Sequence, residues 1–437
     1  MAKIPKRAIR QAERVKLTRP QWKIYEAGWK PEARFRTAVC GRRFGKSTTA
    51  IEEIRRAAKL AVLAKTSADN EIWYAAPNFK QAKRVFWRRL KRGIPAHWIA
   101  GKPNETDCSM VLVSGHVIRL VGLDNYDALR GSGLWFVVVD EWADCPYAAW
   151  TETLRPMLST AQGHALFIGT PKGFDHLRDS FIAGQPGGEP DHKSWQYTTI
   201  QGGNVPAEEL SSARRTLDPR TFRQEYEASF ETFSGRVFYA FSRTENVKTC
   251  RDKLTSAALL HVGMDFNINP MSATVWVEEG DSAYQVAEVI IPTSNTDEMV
   301  AEIRQKFGRS GSVGHITIYP DPAGAQRRTS AGGRTDIGIL QAAGFKVLAM
   351  SSHPLVRDRN NIVNARFCTA DGTRRAFVDP VCTKSIEAYE RHVYKDGTSE
   401  PDKGTGFDHL CDSTAYYQYA KHAYKAPQTR HVNIMGR

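Results

Sequence analysis

Cys40-Gly41-Arg42-Arg43-Phe44-Gly45-Lys46-Ser47-Thr48 lies between an apolar, β-rich run, Phe35–Cys40, and a helical pattern that begins near Lys46. That pattern sets Ile51, Ile54, Ala58 and Val62 on one face. A strand that enters a glycine-bearing turn and leaves as a helix aims backbone N–H groups at an anion, where the helix dipole favours negative charge. The common form of such a loop, GxxxxGK[ST], has glycine where Cys40 stands here, and Gly41 follows one residue later. Gly45 lets the chain curl around phosphates, Lys46 reaches the β- and γ-phosphates, and Ser47 ligates Mg²⁺. The loop therefore assigns nucleotide contacts to Gly41, Arg43, Gly45, Lys46, Ser47 and Thr48, with ATP and Mg²⁺ as cofactors.

The partners this chemistry needs stand in Leu134-Trp135-Phe136-Val137-Val138-Val139-Asp140-Glu141. A continuously apolar run reads as a parallel strand buried on both faces, delivering two carboxylates at its C-terminal end. Asp140 fits the Mg²⁺ shell and Glu141 fits the base that activates the attacking water. Gly169-Thr170-Pro171 ends the next apolar run, Ala165–Ile168, and Thr170 is positioned to sense the γ-phosphate.

Working outward, Ile72–Ala75 precedes the basic, aromatic stretch Phe79–Leu90, and Ser114-Gly115 joins Val111–Val113 to Val117–Val121 as a hairpin. This alternation predicts a doubly wound α/β sheet. Residues 182–205, rich in Gly, Pro and polar side chains, predict a loop or irregular boundary, and 207–230 a closing helix. The first domain is thus expected over 1–233, with an irregular lid or linker subdomain at about 180–233, followed by a linker over 234–252. The remainder, 253–425, has another order: strands at 259–264, 272–278 and 284–291, a helix at 297–307, a strand at 315–319, a helix, a strand at 344–350, and helices at 357–369, 383–394 and 407–421. Three meandering strands followed by alternating helix and strand is the order of ribonuclease H-like nucleases.

In that order Asp265 ends the first strand and Asp321 ends the strand after the first helix, so the two acids are expected side by side. Asp408 and Asp412 stand at i and i+4 on a late helix and share a face. Two-metal phosphodiester hydrolysis needs three or four carboxylates around ions about 3.5–4 Å apart. Glu288 is a weaker candidate. His409 reads as a base standing behind the metal ligands or as a packed helix histidine, and Asp336 as a helix start.

Bulk properties agree with a two-domain globular chain: 437 residues, 41% hydrophobic, 25% charged, 10% aromatic. The net charge is +14, and basic residues cluster at 3–19, 80–92, 327–334 and 421–430, with a basic tail over 426–437. An excess of this size favours polyanions. Seven cysteines without a close CxxC pair argue against structural zinc and for a reducing compartment. No apolar run reaches the ~18 residues of a membrane span, and no secretory signal is apparent.

From Leu17 to about Ala420 the sequence resembles the large terminase subunits of tailed bacteriophages, through the Arg-rich variant loop, Val137–Glu141, Gly169-Thr170-Pro171 and the acids of the second half. The resemblance implies a P-loop ATPase of the ASCE type followed by a ribonuclease H-like nuclease. Such a protein translocates double-stranded viral DNA into the procapsid and cuts concatemers. It implies that Gln21 contacts adenine, that Arg42 senses the nucleotide, and that Arg130 is the arginine finger offered to a neighbouring subunit. It assigns nuclease metal binding to Asp265, Asp321 and an acid of the last motif, Asp408 favoured and Asp412 its support or alternate, with Mg²⁺ or Mn²⁺ as the metal. Implied partners are the portal ring, a small terminase subunit and further copies of the chain in a packaging ring, the isolated chain being monomeric. The implied location is the host cytoplasm, with transient docking on the procapsid and none in the mature virion. Two other classes stay open: a helicase-like or repair ATPase, and a non-catalytic DNA-binding protein, against which Lys46, Glu141 and Asp265 count.

Overall fold

The computed structural model describes residues 16–173, 175–231, 235–326, 334–396 and 398–423. Most of the basic cluster at 3–19, the cluster at 327–334 except Arg334, and the tail 426–437 lie outside the described residues. The chain divides into two compact units, Met1–Ser211 with Phe222–Thr232, and Ser212–Thr221 with Phe233–Arg437. Among the described residues, no helix is long and apolar enough to cross a membrane.

The first unit is built on seven strands: β1 (Phe35–Cys40), β2 (Asn70–Ala76), β3 (Ser109–Val111), β4 (Val117–Gly122), β5 (Gly133–Asp140), β6 (His164–Gly169) and β7 (His192–Tyr197). Their spatial order is β3-β4-β2-β5-β6-β1-β7, parallel except for the β3–β4 hairpin. The interior strands are apolar because both faces are covered. Val137, Val138 and Val139 of β5 are fully buried, facing two different clusters of core residues. Helix Lys46–Leu63 starts directly after Gly45 and buries Ala50, Ile54, Ala57 and Ala58 on one side.

That helix is tied to the sheet by a buried ion pair. Arg36 on β1 donates to both carboxylate oxygens of Glu53 at 2.5 and 2.9 Å, and to the carbonyl of Ile24 at 3.0 Å. Both charged side chains are fully buried. Removing one partner leaves the other uncompensated, which costs about 3–5 kcal/mol. Glu53→Ala is therefore expected to destabilise the first unit by that amount, read by chemical denaturation with tryptophan fluorescence. A change below about 1 kcal/mol would be that of an exposed pair.

Two expectations for the first half of the chain need correction. The region 182–205 is not all loop: it contains β7, which pairs in parallel with β1 from Phe35↔His192 to Cys40↔Tyr197. β7 is an edge strand with half-buried polar residues, so its sequence carries no apolar run. The single helix over 207–230 is two, Ala207–Thr216 and Pro219–Tyr226. Pro219 cannot continue a helix, and Asp218 accepts from the N–H groups of Arg220 and Thr221 at 3.1 and 3.0 Å to start the second.

The second unit carries β8 (Leu260–Asp265), β9 (Met271–Glu279), β10 (Ser282–Ile291), β11 (Ile316–Pro320), β12 (Lys346–Val347) and β13 (Ala376–Val378), in the order β12-β11-β8-β9-β10-β13. β8, β9 and β10 form the antiparallel meander, and β11 lies parallel to β8. The strand expected at 344–350 shrinks to two residues, and β13 is an addition too short to show a period. The stretch 234–252, expected as a linker, packs into this unit: Val237, Phe238 and Phe241 are buried with Val363, Phe367 and Tyr389. Helix Asp408–His422 lies on β8 and β9. Gly263 permits that approach, because a Cβ there would stand 1.9 Å from the Ser413 carbonyl oxygen.

Candidate functional site

In the first unit the strand–loop–helix geometry brings the polar ends of β1, β5 and β6 together. Gly45 adopts φ 102°, open to glycine, and Arg43 is left-handed at φ 61°. Lys46 Nζ donates to Thr170 Oγ1 at 2.7 Å and lies 3.3 Å from Glu141 Oε1. Asp140 accepts from the Glu141 N–H at 2.9 Å and from the Tyr74 hydroxyl. Burial pushes the Asp140 carboxyl up and the Glu141 carboxylate adds to that, while Lys46 pulls it down. Two carboxylates, one ammonium and one hydroxyl thus share the mouth of a helix N-terminus. Ser47 and Thr48 follow on the first turn of that helix.

The loop is held from its sides by Gln21, which the sequence singled out, and by Asn204 and Thr199, which it did not. The Gln21 and Asn204 amides both donate to the Phe44 carbonyl, at 2.9 and 2.8 Å, and Thr199 Oγ1 donates to the Arg42 carbonyl at 2.7 Å. Gln21 also accepts from the Thr18 N–H at 3.0 Å, so its amide is engaged at both ends. Cys40 completes β1 and is fully buried, its thiol pushed up to about 12 by desolvation. The loop proper starts at Gly41, packed beneath Thr199 and Tyr226. That accounts for the altered pattern: the residue at the usual first-glycine position is still strand. Arg42 is exposed and pairs with Glu225. Arg130 is exposed and pairs with Asp127 at 2.7 Å and Glu152 at 3.5 Å, not with Asp140 or Glu141.

In the second unit, parallel register sets Pro320 opposite Met264, and the Asp321 N–H donates to the Met264 carbonyl at 2.9 Å. Asp265 and Asp321 therefore end neighbouring strands at the same edge. Helix Asp408–His422 starts at that edge. His409 Nδ1 lies 3.2 Å from Asp265 Oδ2, and its Nε2 lies 3.8 Å from Asp408 Oδ1. The Asp265 carboxyl is pushed up first by burial, and the carboxylates of Asp321 and Asp408 add to it. Hydrogen bonding to Asp265 holds the His409 imidazole above its ordinary value. Asp408 Oδ1 is buried and has no hydrogen-bond partner among the described residues. Asp412 pairs instead with the buried Arg359 at 3.3 Å. Burial pushes its carboxyl up to about 6, against the pull of Arg359.

Among the described residues, no three His, Cys, Asp or Glu side chains already stand together as a metal-holding group. His409 lies between Asp265 and Asp408, and His353 Nε2 sits 3.5 Å from Asp321 Oδ1. Glu288 is accounted for otherwise. It accepts from the Lys384 and Ser385 N–H groups at 3.0 and 2.7 Å, capping helix Thr383–Arg391. Asp336 opens a helix behind Thr335, as read from sequence.

Compared with known proteins, the chain is 25% identical over 435 residues to the terminase large subunit of Escherichia phage T5, covering 96% of this chain and 94% of that one. The chain is a homologue of phage terminase large subunits. The terminase large subunit of Thermus virus P23-45 is 30% identical over 268 residues, 51% of this chain and 54% of its own. No family model matches. Among solved structures, the large terminase of a thermophilic bacteriophage superposes with a TM-score of 0.56 at 15% identity, covering 93% of this chain and 99% of that one. That likeness is one of fold, and it spans both units of the chain. Further structures of that same terminase were solved with ADP and with ATP-gamma-S.

Against the terminase background, three residues missed from sequence stand out. Tyr74 lies on β2 beside Val138 of β5, so strand adjacency alone would have offered it to Asp140. Asn204 and Arg359 come from helical or loop segments far off in sequence, and nothing in their local pattern marks them.

Proposed function

We propose that the chain is the large terminase subunit of a tailed phage: an ATP-hydrolysing motor for double-stranded DNA joined to a metal-dependent endonuclease. The observation that carries the motor is Lys46, held at once by Thr170 and Glu141 at the mouth of the P-loop. Loop amides and Lys46 bind the β- and γ-phosphates, and Glu141 takes the proton of the water that attacks the γ-phosphorus, releasing ADP and phosphate. Ser47 and Asp140 would hold Mg²⁺. Thr170, bonded to Lys46, registers loss of the γ-phosphate. Gln21, Arg42 and Arg43 flank the nucleotide, and Gln21 also fixes the loop through Phe44. Arg130, exposed on the surface, would leave Asp127 and Glu152 to reach a neighbouring copy's nucleotide in a ring.

In the ribonuclease H-like second unit, Asp265, Asp321 and Asp408 would hold the divalent ions, Mg²⁺ or Mn²⁺. Their fit is supported by the orphaned, buried Oδ1 of Asp408, and by the way neighbouring carboxylates add to the burial-driven rise of Asp265. Bound ions would polarise the phosphodiester and supply a hydroxide nucleophile. Double-stranded DNA, the portal, a small terminase subunit and other copies of the chain are the proposed partners, in the host cytoplasm at the procapsid. The test is the purified full chain with linear double-stranded DNA. DNA-stimulated ATP hydrolysis and Mg²⁺- or Mn²⁺-dependent cleavage without strand displacement are expected. Robust strand displacement would favour a helicase-like enzyme instead.

A further inference from the structure

Arg359, on the first turn of helix Val356–Phe367, is 4% exposed. Its guanidinium lies 3.3 Å from Asp412 Oδ1 and 4.5 Å from the centre of the Tyr416 ring. Its Nε and Nη1 are buried and carry no hydrogen-bond partner among the described residues. A buried cation with unmet donors is unfavourable unless its charge answers a neighbour's. Its acid partner is Asp412, and one helical turn before Asp412 on the same helix stands Asp408, whose buried Oδ1 accepts no hydrogen bond among the described residues. The two acids of this helix therefore differ. Asp412 is matched by a buried arginine, whereas Asp408 has beside it the His409 imidazole, 3.8 Å from its Oδ1.

We propose that Arg359 is a positioning residue that keeps Asp412 out of the divalent-metal set and leaves Asp408 as the helix's ligand. This rests on reading Asp265, Asp321 and Asp408 as the nuclease metal site. The consequence is an internal competition. With Asp412 neutralised, Arg359 is left buried and unpaired, and the acids available to its free donors are those that hold the metal. Its charge then opposes the divalent ion. With both charges removed, that opposition disappears.

The test is Mn²⁺ binding to the full chain without DNA, by titration calorimetry or by loss of the free-ion electron paramagnetic resonance signal. Asp412→Asn is expected to weaken Mn²⁺ binding about tenfold or more, since it leaves a buried charge unpaired. The double variant Arg359→Met/Asp412→Asn is expected to return to within about threefold of wild type, as removal of a matched pair allows. Arg359→Met alone removes the competing cation and should bind Mn²⁺ at least as tightly as wild type. A direct ligand behaves otherwise: if the double variant binds as weakly as Asp412→Asn, or Arg359→Met weakens binding, the inference is wrong. Asp412→Asn binding like wild type would also overturn it. Asp265→Ala separates the two levels. If it leaves Mn²⁺ binding intact, the metal reading itself fails. If it abolishes binding while the double variant is not restored, only the role of Arg359 fails.

Discussion

Lys46→Ala is expected to lower ATP turnover by about 100-fold or more, the scale on which a preorganised donor to a developing anion is worth removing. Lys46 is not a loosely solvated lysine. Its ammonium is fixed 2.7 Å from Thr170 Oγ1 and 3.3 Å from Glu141. Its loss has two effects that reinforce one another. The β- and γ-phosphates lose a side-chain cation, and Asp140 with Glu141 lose a charge that offsets their repulsion. The Asp140 carboxyl, already pushed up by burial and by Glu141, then rises further and becomes a poorer anion. Lys46 belongs to the first unit and the nuclease acids to the second, so metal-dependent DNA cleavage by the same preparation should stay within about twofold of wild type, as for an independent site. Phosphate release and plasmid nicking measured side by side check both halves. An ATPase rate near wild type would remove Lys46 from the phosphate site.

Asp265→Ala should do the reverse, reducing DNA cleavage by about 1,000-fold, equivalent to about 4 kcal/mol of lost charge stabilisation. Asp265 is the acid most enmeshed in the cluster: it ends β8, hydrogen-bonds His409, and is pushed up by burial and then by Asp321 and Asp408. Its removal also frees His409 to turn toward Asp408. DNA-stimulated ATP hydrolysis should persist. Cleavage at the wild-type rate would mean that the acids at the ends of β8 and β11 do not hold the metals.

How far the sequence led depended on whether the signal was local. β1, β5, β6, β8, β9 and β11 are apolar runs ending in a turn or an acid, and periodicity finds such runs. β7 is a polar edge strand, and β13 has three residues, so neither carries a period to read. The apparent linker contains Val237, Phe238 and Phe241, whose burial comes largely from residues far along the chain, such as Val363, Phe367 and Tyr389. Site residues followed the same rule. Lys46, Asp140 and Asp265 stand in contiguous motifs, whereas Tyr74, Asn204 and Arg359 act only through three-dimensional contacts. The choice between Asp408 and Asp412 was undetermined at i, i+4 spacing, because both face the same side. In the proposed metal site it turns on Arg359, which no helical periodicity can associate with them.

In the proposed function two separate chemistries reside in one chain, each at the end of its own sheet. Anomalous diffraction from crystals of the full chain grown with Mn²⁺ and ATP-γ-S tests both at once. Mn²⁺ is expected beside Ser47 and Asp140 with the nucleotide phosphates against Lys46, and further Mn²⁺ shared by Asp265, Asp321 and Asp408 with Asp412 still on Arg359. Nucleotide bound away from the loop, or Mn²⁺ that leaves Asp265 and Asp321 bare, would contradict it.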